Sequence, residues 1–123
     1  MSEKYFTLAE AEALLPMVKE ELDHLQQLQN EFQEKYVELR TMYDREGAFE
    51  LESQMEFLEI QANMHVNNLY AHGVQLKDID QGLVDFPALI NGEEVLLCWK
   101  QGEDQIEYYH GVHEGFRGRK KLE

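Results

Sequence analysis

Apolar residues in the first half of the chain recur every three or four positions, which is the spacing of an amphipathic helix. Two such lines can be traced. The first is broken only at Gln29 and otherwise consists of Leu15, Val18, Leu22, Leu25, Phe32, Tyr36, Leu39 and Tyr43. The second consists of Leu51, Met55, Leu58, Ala62, His65 and Leu69. Sustained spacing of this kind is typical of coiled-coil packing, and the short segment between the two lines predicts an antiparallel helical hairpin.

Local signals set the expected limits of these helices. Thr7 and Glu10 have the spacing of a capping box, which begins a helix. Pro16 cannot donate a backbone hydrogen bond, so we expect a short first helix and a new helix from about Pro16. Residues 44–47 predict the hairpin turn, and residues 48–71 the second long helix.

After residue 72 the pattern changes to short runs of β-forming residues between turn signals. Residues 73–79 predict one strand, and Asn91-Gly92 is typical of a two-residue hairpin turn. Counting outward from that turn gives three apolar pairs on one sheet face: Ala88 with Val95, Phe86 with Leu97, and Val84 with Trp99. The predicted fold class is therefore α+β: one domain with a helical hairpin in residues 1–72 and an antiparallel β-meander of three to four strands, followed by a basic tail, in residues 73–123.

A second turn is predicted at residues 101–104. Counting across it pairs Cys98 with Glu107, which would align Asp85, Cys98 and Glu107 across three strands on the polar sheet face. By the same count His110 points to the opposite face. Cys98 is the single cysteine, and we expect an inert thiol there because flanking carboxylates disfavour the thiolate.

The net charge of −14 argues against binding to nucleic acid or to an anionic membrane. We expect the basic residues at the end of the chain to pair with the protein's own acids. These basic residues are Arg117, Arg119, Lys120 and Lys121. No run reaches the roughly 20 apolar residues of a membrane helix, and the first residues lack the apolar core of a signal peptide. We therefore expect a cytoplasmic protein.

Four segments together carry a resemblance: FTLAEAEALLP at 6–16, GLVDFPA at 82–88, LLCWK at 96–100 and GFRGR at 115–119. The chain resembles a prokaryotic family catalogued as domain of unknown function number twenty-two-oh-three, over nearly its whole length. The resemblance implies a small soluble prokaryotic protein and brings no activity, substrate or cofactor. It gives weight to residues that fall within the family's motifs: Asp85, Trp99, His110, Arg117 and Arg119.

Two interpretations of function remain open. The one that the sequence favours is a non-enzymatic interaction or scaffolding module. Phe57, Ile60 and Met64 lie off the helical seam, so they should pack against the sheet or against a second chain, which would give a dimer. Within the seam, Gln29 and His65 are expected to hydrogen-bond across the hairpin and fix its register.

The alternative is a site for a small ligand or a divalent metal, with hydrolysis as one use of it. The candidate ligands are Asp78, Asp80, Asp85, Glu107 and His110, and the candidate anion or salt-bridge partners are Lys77, Arg117 and Arg119. Carboxylates with one histidine suit a divalent cation, and two carboxylates can act as acid and base. No catalytic residue is identified, because the chain contains no Ser-His-Asp set, phosphate-binding loop or HExxH motif.

Overall fold

Helices precede an antiparallel sheet in the computed structural model, which describes residues 4–123. The helices are α1 (Leu8–Ala13), α2 (Leu15–Arg40) and α3 (Arg45–Ala71). The strands are β1 (Gln75–Asp78), β2 (Leu83–Ile90), β3 (Glu93–Lys100), β4 (Tyr108–Gly111) and β5 (Lys120–Lys121). Within residues 4–123 the five strands follow one another in the order β1-β2-β3-β4-β5. The α+β prediction is confirmed, but the predicted three to four strands were too few because the basic tail pairs with β4 as β5.

The helix limits follow from hydrogen bonds that satisfy free backbone groups. The Thr7 hydroxyl accepts from the backbone N–H of Glu10, and the Glu10 carboxylate accepts from that of Thr7. The helical conformation is interrupted at Leu14, and α2 then begins with Pro16 in its first turn. Helix α3 begins at Arg45, earlier than predicted, because the Asp44 carboxylate accepts hydrogen bonds from the first N–H groups of the helix.

The core lies between α2 and one face of the sheet. Its fully buried side chains include Val18 and Leu22 of α2, and Phe86 and Trp99 of the sheet. The Phe6 ring meets Phe86 edge-on, with 5.4 Å between ring centres. Helix α3 packs mainly on α2, and its last buried residue, Leu69, joins the same core. Among residues 4–123, no helix combines the length and the apolar character needed to cross a membrane.

The predicted hydrogen bond between Gln29 and His65 is not formed. The Gln29 amide donates to the Asp80 carboxylate at 2.8 Å. The His65 Nδ1 atom lies 2.8 Å from a carboxylate oxygen of Glu21, and its ring stacks on His24. Both residues therefore have partners that the helical seam alone does not define.

The expected packing of the off-seam residues of α3 against the sheet is also wrong. Phe57, Ile60 and Met64 point away from the core and stay largely exposed. The reason is the position of α3, which lies on the outside of α2 and turns only its seam inward.

Candidate metal centre

The pairing of β3 with β4 decides which side chains meet on the second face of the sheet. Cys98 pairs with Tyr108, and Leu96 pairs with His110, one residue away from the predicted register. Because side chains alternate along a strand, this shift moves His110 onto the face that carries Asp85 and Cys98. The predicted row of Asp85, Cys98 and Glu107 is thus wrong in its third member.

The connection between β3 and β4 fixes this register through contacts outside the sheet. The Trp99 indole N–H donates to the backbone carbonyl of Glu103, and the Glu103 carboxylate accepts from the Lys100 N–H at 2.8 Å. Ile106 is buried, and its N–H donates to the Glu12 carboxylate of α1 at 3.1 Å. With these contacts, the connection between β3 and β4 is one residue longer than the tight turn that the sequence predicts.

Asp85, Cys98 and His110 form a buried cluster on the three central strands. Their side-chain ligand atoms all lie within 4.8 Å of one another. The residues are 1%, 2% and 3% exposed, respectively. His110 Nε2 lies 3.1 Å from Asp85 Oδ2. Three different potential metal ligands thus converge in a part of the protein that solvent barely reaches.

The orientation of the His110 ring is set by its own main chain. Nδ1 lies 2.8 Å from the backbone carbonyl oxygen of Gly111. A carbonyl can only accept, so we assign the ring proton to Nδ1. In the neutral imidazole, Nε2 then carries a lone pair, which accepts a hydrogen bond from Asp85 when that carboxyl group is protonated. Histidine ligands of metals are typically oriented in this way, with the other ring nitrogen donating to a carbonyl or carboxylate.

Asp85 is only partly satisfied by these contacts. Burial raises the pKa of its carboxyl group, while the charges of His110 and Lys77 act in the opposite direction. Oxygen Oδ1 is buried and has no hydrogen-bond partner among residues 4–123. An unsatisfied buried carboxylate oxygen is costly, so its presence favours a further group at this position.

The surroundings of the Cys98 thiol strongly disfavour its ionisation. Burial, followed by the neighbouring charge of Asp85, raises its pKa to about 12. This agrees with the inert thiol expected from the sequence. A bound metal would reverse that preference, because a coordinating thiol gives up its proton.

A cavity of about 190 Å³ adjoins the cluster. Lys77 and Leu83 border it on the strand side, and Val112, Glu114 and Phe116 border it on the side of the C-terminal loop. That loop is held down by Arg119, whose guanidinium lies 4.1 Å from the ring centres of both Tyr108 and Phe116. The cluster therefore has a small adjoining space with both polar and apolar walls.

The family model described as "Uncharacterized conserved protein (DUF2203)" matches residues 4–122. The chain belongs to the DUF2203 family. This match confirms the family that the sequence resembles. No curated protein and no solved structure matches the chain.

In this DUF2203 protein the other predicted site residues lie elsewhere. Asp78 and Asp80 border a separate cavity of about 680 Å³ between the helices and the turn after β1. The Asp78 carboxylate accepts from the Gln81 N–H at 3.1 Å. Glu107 precedes β4 and contributes its backbone carbonyl, which accepts from Leu122. None of these three acids joins the buried cluster.

The predicted cationic partners are also divided. Lys77 lies beside the cluster, and its positive charge acts to lower the pKa of Asp85. Arg119 pairs with Glu103, in the connection between β3 and β4, at 2.9 Å. Arg117 is exposed. Of the predicted cations, only Lys77 borders the small cavity.

Cys98 was not predicted as a ligand, because the register that brings His110 beside it could not be identified from the sequence. Tyr109, not Tyr108, packs against the core, opposite Leu97. Placing Tyr109 on the core face would have put His110 on the face of Asp85 and Cys98. The two tyrosines are adjacent and chemically identical, so the sequence does not distinguish the two registers.

Proposed function

We propose that the protein binds one transition-metal ion, with Zn²⁺ as the best match, through Asp85, Cys98 and His110. The convergence of these three ligand atoms within 4.8 Å in a buried site carries the proposal. Ligands of a tetrahedral zinc ion lie roughly 3.5 Å apart. Small side-chain rotations would therefore allow the three atoms to surround one ion.

The donor set matches zinc chemistry. Zinc is bound in proteins by cysteine sulfur, histidine nitrogen and carboxylate oxygen, whereas calcium and magnesium prefer oxygen ligands alone. The Oδ1 atom of Asp85, which has no hydrogen-bond partner within residues 4–123, and the oriented ring of His110 are both suited to a cation. Binding of an ion would satisfy a carboxylate that is otherwise buried without enough partners.

A site with three protein ligands keeps a fourth position for water or substrate. The neighbouring cavity of about 190 Å³ supplies space for it, with Lys77 and Glu114 on its border. Zinc lowers the pKa of bound water to about 7, which makes a nucleophile available at neutral pH. Hydrolysis of a small substrate is the reaction class that this arrangement supports, and a comparison of small-ester hydrolysis by zinc-loaded protein and by its His110→Gln variant would test it.

Zinc titration of chelator-treated protein against a chromophoric competitor tests the binding itself. We expect one zinc ion per chain. His110→Gln or Cys98→Ser should weaken binding by more than about 100-fold, since loss of even a hydrogen-bond partner of a metal ligand costs about 10–100-fold. Asp85→Asn should also weaken binding while preserving the shape of the side chain.

His113→Gln is the matched control. It makes the same substitution at an exposed histidine of the neighbouring loop. Its zinc affinity should equal that of the wild type. Equal affinities for wild type and His110→Gln, with both proteins folded, would contradict the proposal and leave the Asp85–His110 contact as a buried structural hydrogen bond.

A second candidate function is protein interaction through the outer face of α3. Four apolar side chains on that helix, which we call the α3 stripe, are exposed: Phe49, Phe57, Ile60 and Met64. A contiguous apolar patch on a soluble protein is typical of an interaction site. Ile60→Glu should shorten retention on a hydrophobic-interaction column, whereas Val37→Glu, at an equally exposed position on α2, should change it little.

A further inference from the structure

The α3 stripe lies directly opposite the seam by which α3 packs on α2. Its members are 72% (Phe49), 61% (Phe57), 57% (Ile60) and 66% (Met64) exposed. With about 100° per residue, the four positions and Ser53 fall within an arc of about 80° on one side of the helix. The buried seam residues Leu51, Leu58 and Leu69 lie on the far side. The stripe is thus an apolar surface along one side of α3, interrupted by Ser53.

We infer, building on the interaction role proposed for α3, that the stripe pairs with the same stripe of a second copy in antiparallel orientation. A twofold axis beside Phe57 would bring the two Phe57 rings together. Phe49 would lie opposite the second copy's Met64, and Ile60 opposite its Ser53. This register overlaps the apolar residues of both copies as fully as their spacing allows, and a ring beside a methionine sulfur is itself a favourable contact.

The charges of α3 select this orientation. Residues 46–71 contain five glutamates, all between Glu46 and Glu59, and no lysine or arginine. In a parallel pair each glutamate would face its own copy, and like charges at such distances repel. In the antiparallel register only Glu56, beside the twofold axis, lies near its own copy, and the other four face uncharged residues of the second copy: Glu46 with Asn67, Glu50 with Asn63, Glu52 with Gln61, and Glu59 with Gln54.

The surface is large enough for such a contact. The exposed parts of the four side chains represent an apolar area of roughly 900 Å² across the two copies, taking about 200 Å² for a whole phenylalanine side chain and about 150 Å² for Ile60 and Met64. A specific interface needs about 1,000 Å² in total. The polar residues that flank the stripe would add a rim to this apolar centre.

Sedimentation equilibrium of the full chain measures the dimerisation. In an isologous dimer each substitution occurs twice, so Ile60→Glu should raise the dimer dissociation constant by at least about 100-fold. Val37→Glu is the matched control, because its side chain is 56% exposed against 57% for Ile60, and it lies on the other helix. It should leave the constant unchanged. Raising the salt concentration from about 0.05 to about 0.5 M should strengthen the dimer, because salt screens the repulsion between two acidic chains.

Disulfide trapping tests the orientation. In the antiparallel register Phe57→Cys meets its own copy, whereas two copies of Ser53→Cys lie about 10 Å apart along the helix axis, beyond the Cα separation of about 7 Å that a disulfide spans. Cys98 is buried and stays in place as the unreactive background. Rapid trapping of Phe57→Cys alone supports the proposal. Rapid trapping of Ser53→Cys overturns it in favour of a parallel pair.

A chain that stays monomeric at all concentrations would overturn the pairing with a second copy. The interaction role would fail separately, if Ile60→Glu and Val37→Glu had the same retention on the hydrophobic column. A monomer whose Ile60→Glu variant still loses retention would direct the search to a different partner, and binding of a basic partner would weaken with salt instead of strengthening.

Discussion

Alkylation of Cys98 in metal-free protein should be about a thousandfold slower at pH 8 than alkylation of the unfolded chain. The reactive species is the thiolate. Burial and the charge of Asp85 raise the thiol's pKa from 9.0 to about 12. Three pKa units reduce the thiolate fraction by about a thousandfold. The residue is also 2% exposed, which slows the reagent further.

The assay is iodoacetamide labelling of chelator-treated protein, followed by intact mass. Fully denatured protein in urea gives the reference rate. Asn30→Cys, at an exposed position of α2, supplies an accessible thiol in the same molecule, so that one sample reports both a protected and an accessible site. The mass of each peptide after digestion assigns the label. We expect the Asn30→Cys position to be labelled at a rate close to that of the denatured chain while Cys98 remains unmodified.

Labelling of Cys98 within about tenfold of the exposed position would refute this reasoning, because burial and a protonated thiol together require a far larger difference. That result would mean either that the loop over the cluster opens readily or that the thiol is ionised in the metal-free site. Both would remove the physical basis for a closed three-ligand centre.

Three further perturbations test other parts of the structure. Burial raises the pKa of Asp85, so the folded metal-free protein holds this proton more tightly than the unfolded chain does. The free energy of unfolding of the wild type should therefore fall, relative to that of Asp85→Asn, as the pH rises from about 4 to about 8. Urea unfolding of both proteins across this pH range would measure the difference. Phe86 is fully buried against Phe6, and Phe86→Ala should lower the free energy of unfolding by about 3–5 kcal/mol. Gly92 has φ +81°, and Gly92→Ala should cost about 1 kcal/mol, whereas Gly115→Ala, with open space and a negative φ, should cost almost nothing.

The hairpin of β2 and β3 could be predicted residue by residue. Asn91 and Gly92 both adopt positive φ, as a type I′ turn requires. The alternation of apolar residues then excludes any shift by one residue, because such a shift would move Phe86 and Trp99 off the sheet face that packs on the helices. All three predicted pairs on the core face are confirmed.

The register of β4 could not be predicted in the same way. It depends on hydrogen bonds that Glu103 and Ile106 form in the folded protein. The Glu103 carbonyl accepts from the Trp99 indole, and the Ile106 N–H donates to Glu12 in α1. Either Tyr108 or Tyr109 can face the core, because the two residues are adjacent and identical. The pattern of apolar residues therefore does not indicate which register of β4 is correct. A single residue of slip then decides whether Glu107 or His110 accompanies Cys98.

The polar residues of the helical seam show the same limit. Gln29 and His65 occupy neighbouring levels of the predicted hairpin, but their actual partners come from positions that the seam does not describe. Asp80 belongs to the turn after β1, and Glu21 lies on α2 two turns before Gln29. Helical periodicity defines which side of a helix is buried, and the distant contacts that satisfy a polar side chain require the tertiary structure.

X-ray absorption at the zinc edge, on protein loaded with one equivalent of Zn²⁺, tests the metal centre most directly. Coordination by Asp85, Cys98 and His110 predicts one sulfur neighbour at about 2.3 Å and nitrogen or oxygen neighbours at about 2.0–2.1 Å. In Cys98→Ser the sulfur neighbour should disappear. A wild-type spectrum with oxygen and nitrogen neighbours alone would contradict the account, since zinc would then be held by surface carboxylates of this acidic chain.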